Sequence, residues 1–125
     1  KKVVMVGRSS LVGKPTALAC LHRNATVTIA HKHTQNLATL TQTADILIVA
    51  IGVPKFITAE YVKEGQIVID VGISEYEEEG IKKISGDVDF ENVKNSVKGI
   101  SPVPGGVGPM TVASLFQNLI DAYTL

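Results

Sequence analysis

The densest candidate for a binding surface in this chain is Pro102-Val103-Pro104-Gly105-Gly106-Val107-Gly108-Pro109-Met110-Thr111, with three prolines and three glycines in ten residues. Proline fixes φ, and glycine reaches backbone shapes closed to other residues. A loop mixing them this densely has one set shape and presents bare backbone, which suits close approach by a flat ligand. A second candidate is Gly7-Arg8-Ser9-Ser10-Leu11-Val12-Gly13, which follows an apolar run and precedes a helical segment with Pro15 near its start. Such a loop aims backbone N–H groups and a helix N-terminus at a phosphate. It departs from G-x-G-x-x-G, because Ser9 replaces the second glycine and Gly13 comes one residue late. The Ser9 hydroxyl is a candidate donor to a phosphate oxygen.

A third segment bears on which nucleotide would bind. NAD-specific domains usually carry Asp or Glu at the end of the second strand, bonding the ribose 2′-OH. Here that strand ends in His31-Lys32-His33-Thr34, with no acid, and Arg8 falls in the same region. Cations there suit a 2′-phosphate, so the expected cofactor is NADP rather than NAD. His31 and His33 have no third ligand type beside them, so the loop is read as solvated and not as a metal site. Asp70 and Asp87 lie near strand ends and are read as structural hydrogen-bond acceptors, which leaves no catalytic residue in this chain.

The elements that must position these loops follow from apolar patterning. Short apolar runs at Val3–Val6, Ile46–Ile51 and Ile67–Gly72 read as buried strands, and β-branched Thr26–Ala30 as another. Lys98–Ser101 is a last short strand. Helices are expected over Gly13–Asn24, apolar nearly all round and hence buried, and from a Thr34 cap to about Thr43. A helical turn follows Thr58, and a helix runs from Asp89 to about Ser96. Glu75–Lys83 reads as a solvated excursion, a hairpin on the sheet edge. The final helix sets Val112, Leu115, Phe116, Leu119, Ile120 and Tyr123 in one apolar stripe.

Apolar strands alternating with helices give an α/β fold: a Rossmann-like, doubly wound, mostly parallel sheet with helices on both faces. Ligands of such sheets sit outside the carboxyl ends of the strands. Gly7, Gly52, Gly72 and Gly105-Gly106 all fall at that end, which predicts a single groove along one rim.

Bulk properties agree with one domain over 1–125, large enough to bury a core. Twelve basic side chains balance twelve acidic ones, so nothing points to nucleic acid or an anionic membrane surface. No apolar run reaches membrane-spanning length. The lone Cys20 has no partner for an internal disulfide, fits a reducing, cytoplasmic compartment, and is read as core. A strand at the very start, with no leader, suggests a chain cut at a domain boundary.

With Gly7–Pro15 (GRSSLVGKP), Val68–Ile73 (VIDVGI), Gly86–Val88 (GDV) and Pro102–Thr111 (PVPGGVGPMT), the chain resembles the C-terminal half of the bifunctional methylenetetrahydrofolate dehydrogenase/methenyltetrahydrofolate cyclohydrolase family over essentially its whole length. The resemblance implies an NADP-binding domain from an enzyme of one-carbon, folate and purine metabolism. Gly7, Arg8 and Ser9 would hold the cofactor phosphates, and Lys32, where many members have Ser, would lie by the 2′-phosphate. Ile73 with Val71 would line the nicotinamide pocket, and Thr111 would close the cofactor site. Pro104, Gly105, Gly106, Val107 and Gly108 would form one wall of the tetrahydrofolate pocket. The family's catalytic Lys belongs to a Tyr-x-x-x-Lys motif in the N-terminal half, and none of Tyr61, Tyr76 or Tyr123 has Lys four residues on. The resemblance therefore implies a fragment that binds cofactor, is inactive alone, and works with the missing N-terminal domain in a homodimeric protein. The Glu75–Lys83 excursion is a candidate dimer contact. Two other readings stand beside it: a non-catalytic nucleotide-binding module, and the cofactor domain of another two-domain dehydrogenase.

Overall fold

The computed structural model describes all of residues 1–125. Five strands, β1 (Lys2–Val6), β2 (Thr26–Ala30), β3 (Ile46–Val49), β4 (Ile67–Asp70) and β7 (Gly99–Ile100), form one parallel sheet in the order β2-β1-β3-β4-β7. The chain steps outward from β1 to β2, then returns past β1 to β3. The carboxyl ends of β1 and β3 therefore flank a topological switch point, where open α/β sheets bind ligands.

The central strands β1 and β3 are apolar almost throughout because they alternate between two covered faces. Val4, Val6, Leu47, Val49 and Val68 turn to one side, against Leu37 and Leu40 of α2 (Leu37–Gln42), Tyr61 of a 3₁₀ turn (Ala59–Tyr61) and Val93 of α3 (Phe90–Val93). Val3, Met5 and Ile48 turn to the other, against Ala17 and Cys20 of α1 (Gly13–His22).

Several boundaries differ from the sequence reading. Helix α1 ends at His22, and Asn24 takes a left-handed φ of 62°. Only Gly13 and Ala17 of α1 are fully buried; Cys20 is half-buried and Leu18 and Leu21 are exposed. One covering helix can bury only the stripe that meets the sheet, so apolar character all round overstated its burial. Thr34 does not cap α2: its Oγ1 accepts the His31 N–H at 2.9 Å, and α2 begins after Asn36. Helix α3 is a single turn, shorter than expected. Strands β5 (Ser74–Glu78) and β6 (Ile81–Ser85) do form a hairpin, but as a separate two-stranded sheet not bonded to the main sheet edge.

The largest difference is α4 (Val107–Thr124), which starts inside the Pro/Gly loop. Pro109 is tolerated there because first-turn N–H groups need no partner within the helix. None of the α4 residues is buried, and Leu119 stays 65% exposed. The sheet's second face is therefore covered by α1 alone, and the α4 stripe lies open. No helix is long and apolar enough to cross a membrane.

Truncations should separate the two apolar surfaces. Leu47→Ala, in the packed face, is expected to cost this chain about 3 kcal/mol in urea unfolding. Leu119→Ala, in the open stripe, should change it by less than about 0.5 kcal/mol. Equal losses would mean that α4 packs on this chain in solution.

Candidate functional site

At the switch point the backbone comes first. Gly7 follows β1 with φ of 124°, and a Cβ there would overlap the Ala50 carbonyl after β3. Only glycine lets the two strand ends stand this close. Ser9 then folds the loop onto α1: its Oγ accepts the Val12 and Gly13 N–H groups at 3.1 Å each, and its carbonyl accepts Lys14 N–H at 3.0 Å. The helix N-terminus is thus satisfied from within, contrary to the expectation that it faces a phosphate directly. The N–H groups of Arg8, Ser9, Ser10 and Leu11 donate to nothing in the chain. Ser9 Oγ, already accepting twice, keeps its own proton to donate.

A cavity of about 500 Å³ opens beside this loop, lined by Gly7, Arg8, Ser9, His31, Lys32 and, on its apolar side, by Leu37, Ile51, Val53 and Phe56 among others. Arg8 and Lys32 bring cations to it, and no carboxylate lines it. The loop after β2 is tied by its own side chains: His31 Nδ1 accepts the His33 N–H at 3.2 Å. No three His, Cys, Asp or Glu side chains gather as a metal would need.

A second cavity of about 430 Å³ lies over the ends of β4 and β7. It gathers Val71, Ile73 and Thr111 with the whole Pro104–Gly108 segment. Ile73 is 69% exposed, whereas Val71 packs at the edge of the core. Val107 and Gly108 belong to the first turn of α4, and the Thr111 hydroxyl donates to Val107 O at 3.1 Å. The expected residues therefore assemble as two hollows on one rim. Gly7, Arg8, Ser9 and Lys32 share the first; Val71, Ile73, Thr111 and the Pro/Gly loop share the second. The expectation of a single groove is corrected to that extent.

Beside the second hollow lies a pair of buried carboxylates, of which Asp70 lines it. Asp70, at the end of β4, accepts N–H bonds from Gly72 (2.9 Å), Asp87 (3.0 Å) and Val88 (2.9 Å). Asp87 accepts from Ile51 (2.6 Å) and Gly52 (3.0 Å), beyond β3. Gly72 lies so close to the Asp87 carboxylate, and Gly86 to that of Asp70, that a Cβ at either would overlap it. Gly52 and Gly72 thus serve this clamp, and Gly72 also lines the second cavity. Burial pushes the Asp70 carboxyl above its usual range, opposed by the three N–H bonds and aided by the charge of Asp87. The sequence marked both residues as acceptors; apart from Gly72, which follows Asp70 closely, their partners are far away in the chain and were not readable from it.

Comparison with known proteins agrees with these features. The family described as tetrahydrofolate dehydrogenase/cyclohydrolase, NAD(P)-binding domain, matches residues 1–125. The bifunctional protein FolD of Caldicellulosiruptor saccharolyticus is 57% identical over 125 residues, covering 100% of this chain and 44% of that protein. FolD of Agathobacter rectalis is 56% identical over 122 residues, covering 98% of this chain and 43% of its own length. Among solved structures, the methylenetetrahydrofolate dehydrogenase-cyclohydrolase of Trypanosoma brucei, complexed with NADP cofactor and inhibitor, superposes with a TM-score of 0.89 at 36% identity, over 96% of this chain and 42% of that one. The bifunctional enzyme from Thermoplasma acidophilum gives 0.88 at 40% identity, over 97% and 43%. The chain spans less than half the length of the curated relatives it matches.

The clamp is open to direct test. Asp70→Asn sets an amide NH₂ against a backbone N–H and is expected to cost about 2 kcal/mol at neutral pH in urea unfolding. A carboxyl raised by folding holds its proton more tightly in the folded chain. Its contribution is therefore fully present below the unfolded pKa and is lost as pH rises through the folded one. The stability advantage of wild type over Asp70→Asn should shrink with rising pH across that window and then level off. An advantage that grows instead would show that the N–H bonds, not burial, govern this carboxyl.

Proposed function

The chain belongs to the NAD(P)-binding domain family of the tetrahydrofolate dehydrogenase/cyclohydrolases, and from that premise we propose that it is the NADP-binding half of a bifunctional enzyme. That enzyme oxidises 5,10-methylenetetrahydrofolate with NADP+ and hydrolyses methenyltetrahydrofolate to 10-formyltetrahydrofolate. One observation carries the cofactor part: the switch-point cavity combines Arg8 and Lys32 with free loop N–H groups and holds no carboxylate. That donor set fits a phosphorylated nucleotide with an extra phosphate on its ribose.

In this reading Gly7, Arg8 and Ser9 take the cofactor phosphates, and Lys32 with Arg8 takes the 2′-phosphate. The apolar side chains Leu37, Ile51, Val53 and Phe56 give the adenine a dry wall. Val71 and Ile73 then face the nicotinamide, with Thr111 behind it, and Pro104 to Gly108 form the wall toward folate. When bound, NADP+ supplies the hydride acceptor, while the protein supplies orientation. Both aspartates near the second hollow are committed to backbone N–H groups, which supports assigning the acid–base chemistry to residues outside this chain. The open α4 stripe is the surface assigned to that missing half, in keeping with relatives more than twice as long. The parent is read as a cytoplasmic homodimer, with the unpaired Cys20 consistent with the compartment.

Parallel calorimetric titration of this chain with NADP+ and NAD+ tests the assignment. NADP+ should bind saturably and more tightly. Lys32→Ala should weaken NADP+ about tenfold and leave NAD+ nearly unchanged, whereas Arg8→Ala should weaken both, NADP+ the more. Tighter binding of NAD+ would sink the 2′-phosphate reading.

A further inference from the structure

Ser101 lines neither hollow, yet the roots of both walls of the second one meet at it. It follows β7, and its N–H donates to Val68 O at 3.1 Å. Its Oγ accepts the Asp70 N–H at 2.8 Å and lies 3.4 Å from Asp70 O, to which its own proton can turn. A side chain, not a strand carbonyl, thus takes the last N–H of β4. Asp70 is 2% exposed, so without that hydroxyl its N–H would stay buried and unpaired. Pro102 comes next and has no N–H with which to continue the ladder. The chain therefore leaves the sheet here and becomes the Pro/Gly wall. That wall has few bonds of its own: the N–H groups of Val103, Gly105 and Gly106 donate to nothing in the chain. Gly106 instead folds back over the root, where a Cβ on it would overlap Pro102 O and crowd Ser101 Cβ. Across the joint, the Asp70 carboxylate holds the Gly72 N–H, and with it the opposite wall, Val71 to Ile73.

We infer that Ser101 is a positioning residue: its hydroxyl joins the roots of the two walls and fixes the gap between Val71–Ile73 and Pro104–Gly108. This rests on the proposed function, in which the first wall faces the nicotinamide and the second faces folate, and deepens it. Two ligands must meet across that gap, so a small displacement of either wall draws them apart. The far end of the Pro/Gly wall runs into α4, and its root is this one residue. Both polar contacts of the hydroxyl fall on Asp70, whose own carboxylate is held by the clamp. The joint therefore ties a wall with few bonds to one that has several.

The test uses the full-length parent, so that whatever covers α4 is in place. Two probes are titrated: NADP+, which on this reading reaches both hollows, and 2′,5′-ADP, which stops at the first. Ser101→Ala should weaken NADP+ about fivefold and leave 2′,5′-ADP unchanged. Ser101→Thr keeps the hydroxyl and should bind both probes as wild type does. Ser101→Val matches Thr in shape without the hydroxyl and should behave as Ala does, which separates the bond from the packing. A loss of stability alone would not split the probes. A second readout is turnover: in Ser101→Ala the dehydrogenase rate should fall about tenfold and the cyclohydrolase rate less than about twofold, because only the first needs both walls at once. Equal weakening of the two probes, no weakening of either, or equal loss of the two activities overturns the inference. So does a Thr variant that behaves like Val. A wild type that binds NADP+ no more tightly than 2′,5′-ADP would bring down the nicotinamide assignment itself, a result distinct from failure of the Ser101 role.

Discussion

Asp70 and Asp87 together accept five backbone N–H groups, drawn from the segments after β3 and β4 and from the turn that follows the hairpin. Neither carboxylate is paired with Lys or Arg. A buried charge without a counter-ion is costly unless several hydrogen bonds replace its water. Here the replacement is peptide dipoles, which cannot swing away as a lysine can, and of the four oxygens only Asp87 Oδ1 is left without one. The same bonds that keep these charges tolerable therefore fix where the rim loops stand. Both hollows take a wall from those segments: Ile51 and Val53 in the first, Val71 to Ile73 in the second. Their separation is thus set by short hydrogen bonds and by two glycines that admit the carboxylates.

Ser9 applies similar logic to the phosphate loop. In a glycine-rich loop, the helix N-terminus itself meets the anion. Here the Ser9 side chain and carbonyl absorb the first helix donors, and the free N–H groups move upstream to Arg8–Leu11. What is lost in direct contact with the helix end is offset by a loop whose shape its own side chain fixes. The hydroxyl proton still points the helix's polarity outward, because an oxygen that accepts two N–H bonds becomes a stronger donor. The replacement of a motif glycine by Ser9 therefore moves the free N–H groups upstream and does not remove them.

Legibility in the sequence followed the range of the forces involved. The strands were visible because burial on both faces leaves them apolar throughout, as in Val3–Val6 and Ile46–Val49. The loops bearing Gly7 and Gly105 were visible because their backbone demands are local. Strand order was not readable: nothing in β2 states that it lies outside β1. Thr34 shows the limit of local rules. It had the chemistry of a helix cap, but the His31 N–H lay closer at hand. The α4 stripe was read correctly as a stripe, and its exposure was not readable, because periodicity reports that a face wants burial and not what buries it. Asp87 is the sharpest case, since its partners at Ile51 and Gly52 are 36 and 35 residues away.

The open stripe and the two hollows have one explanation in common. A cofactor half that enclosed its own substrate pocket would need residues on both sides of the reacting carbon. This chain offers only one side: the Pro/Gly wall, running straight into α4 through Val107 and Gly108. A wall continuous with a helix cannot move independently of it. Whatever covers the α4 stripe therefore also sets the wall, and with it the second hollow. The first hollow has no such dependence, for its lining comes from loops anchored by Ser9, Asp87 and the His31 turn. On the proposed reading, nucleotide binding would then be a property of the chain by itself. The second hollow becomes defined only when α4 is seated, which makes the helix the mechanical link between its wall and whatever covers the stripe.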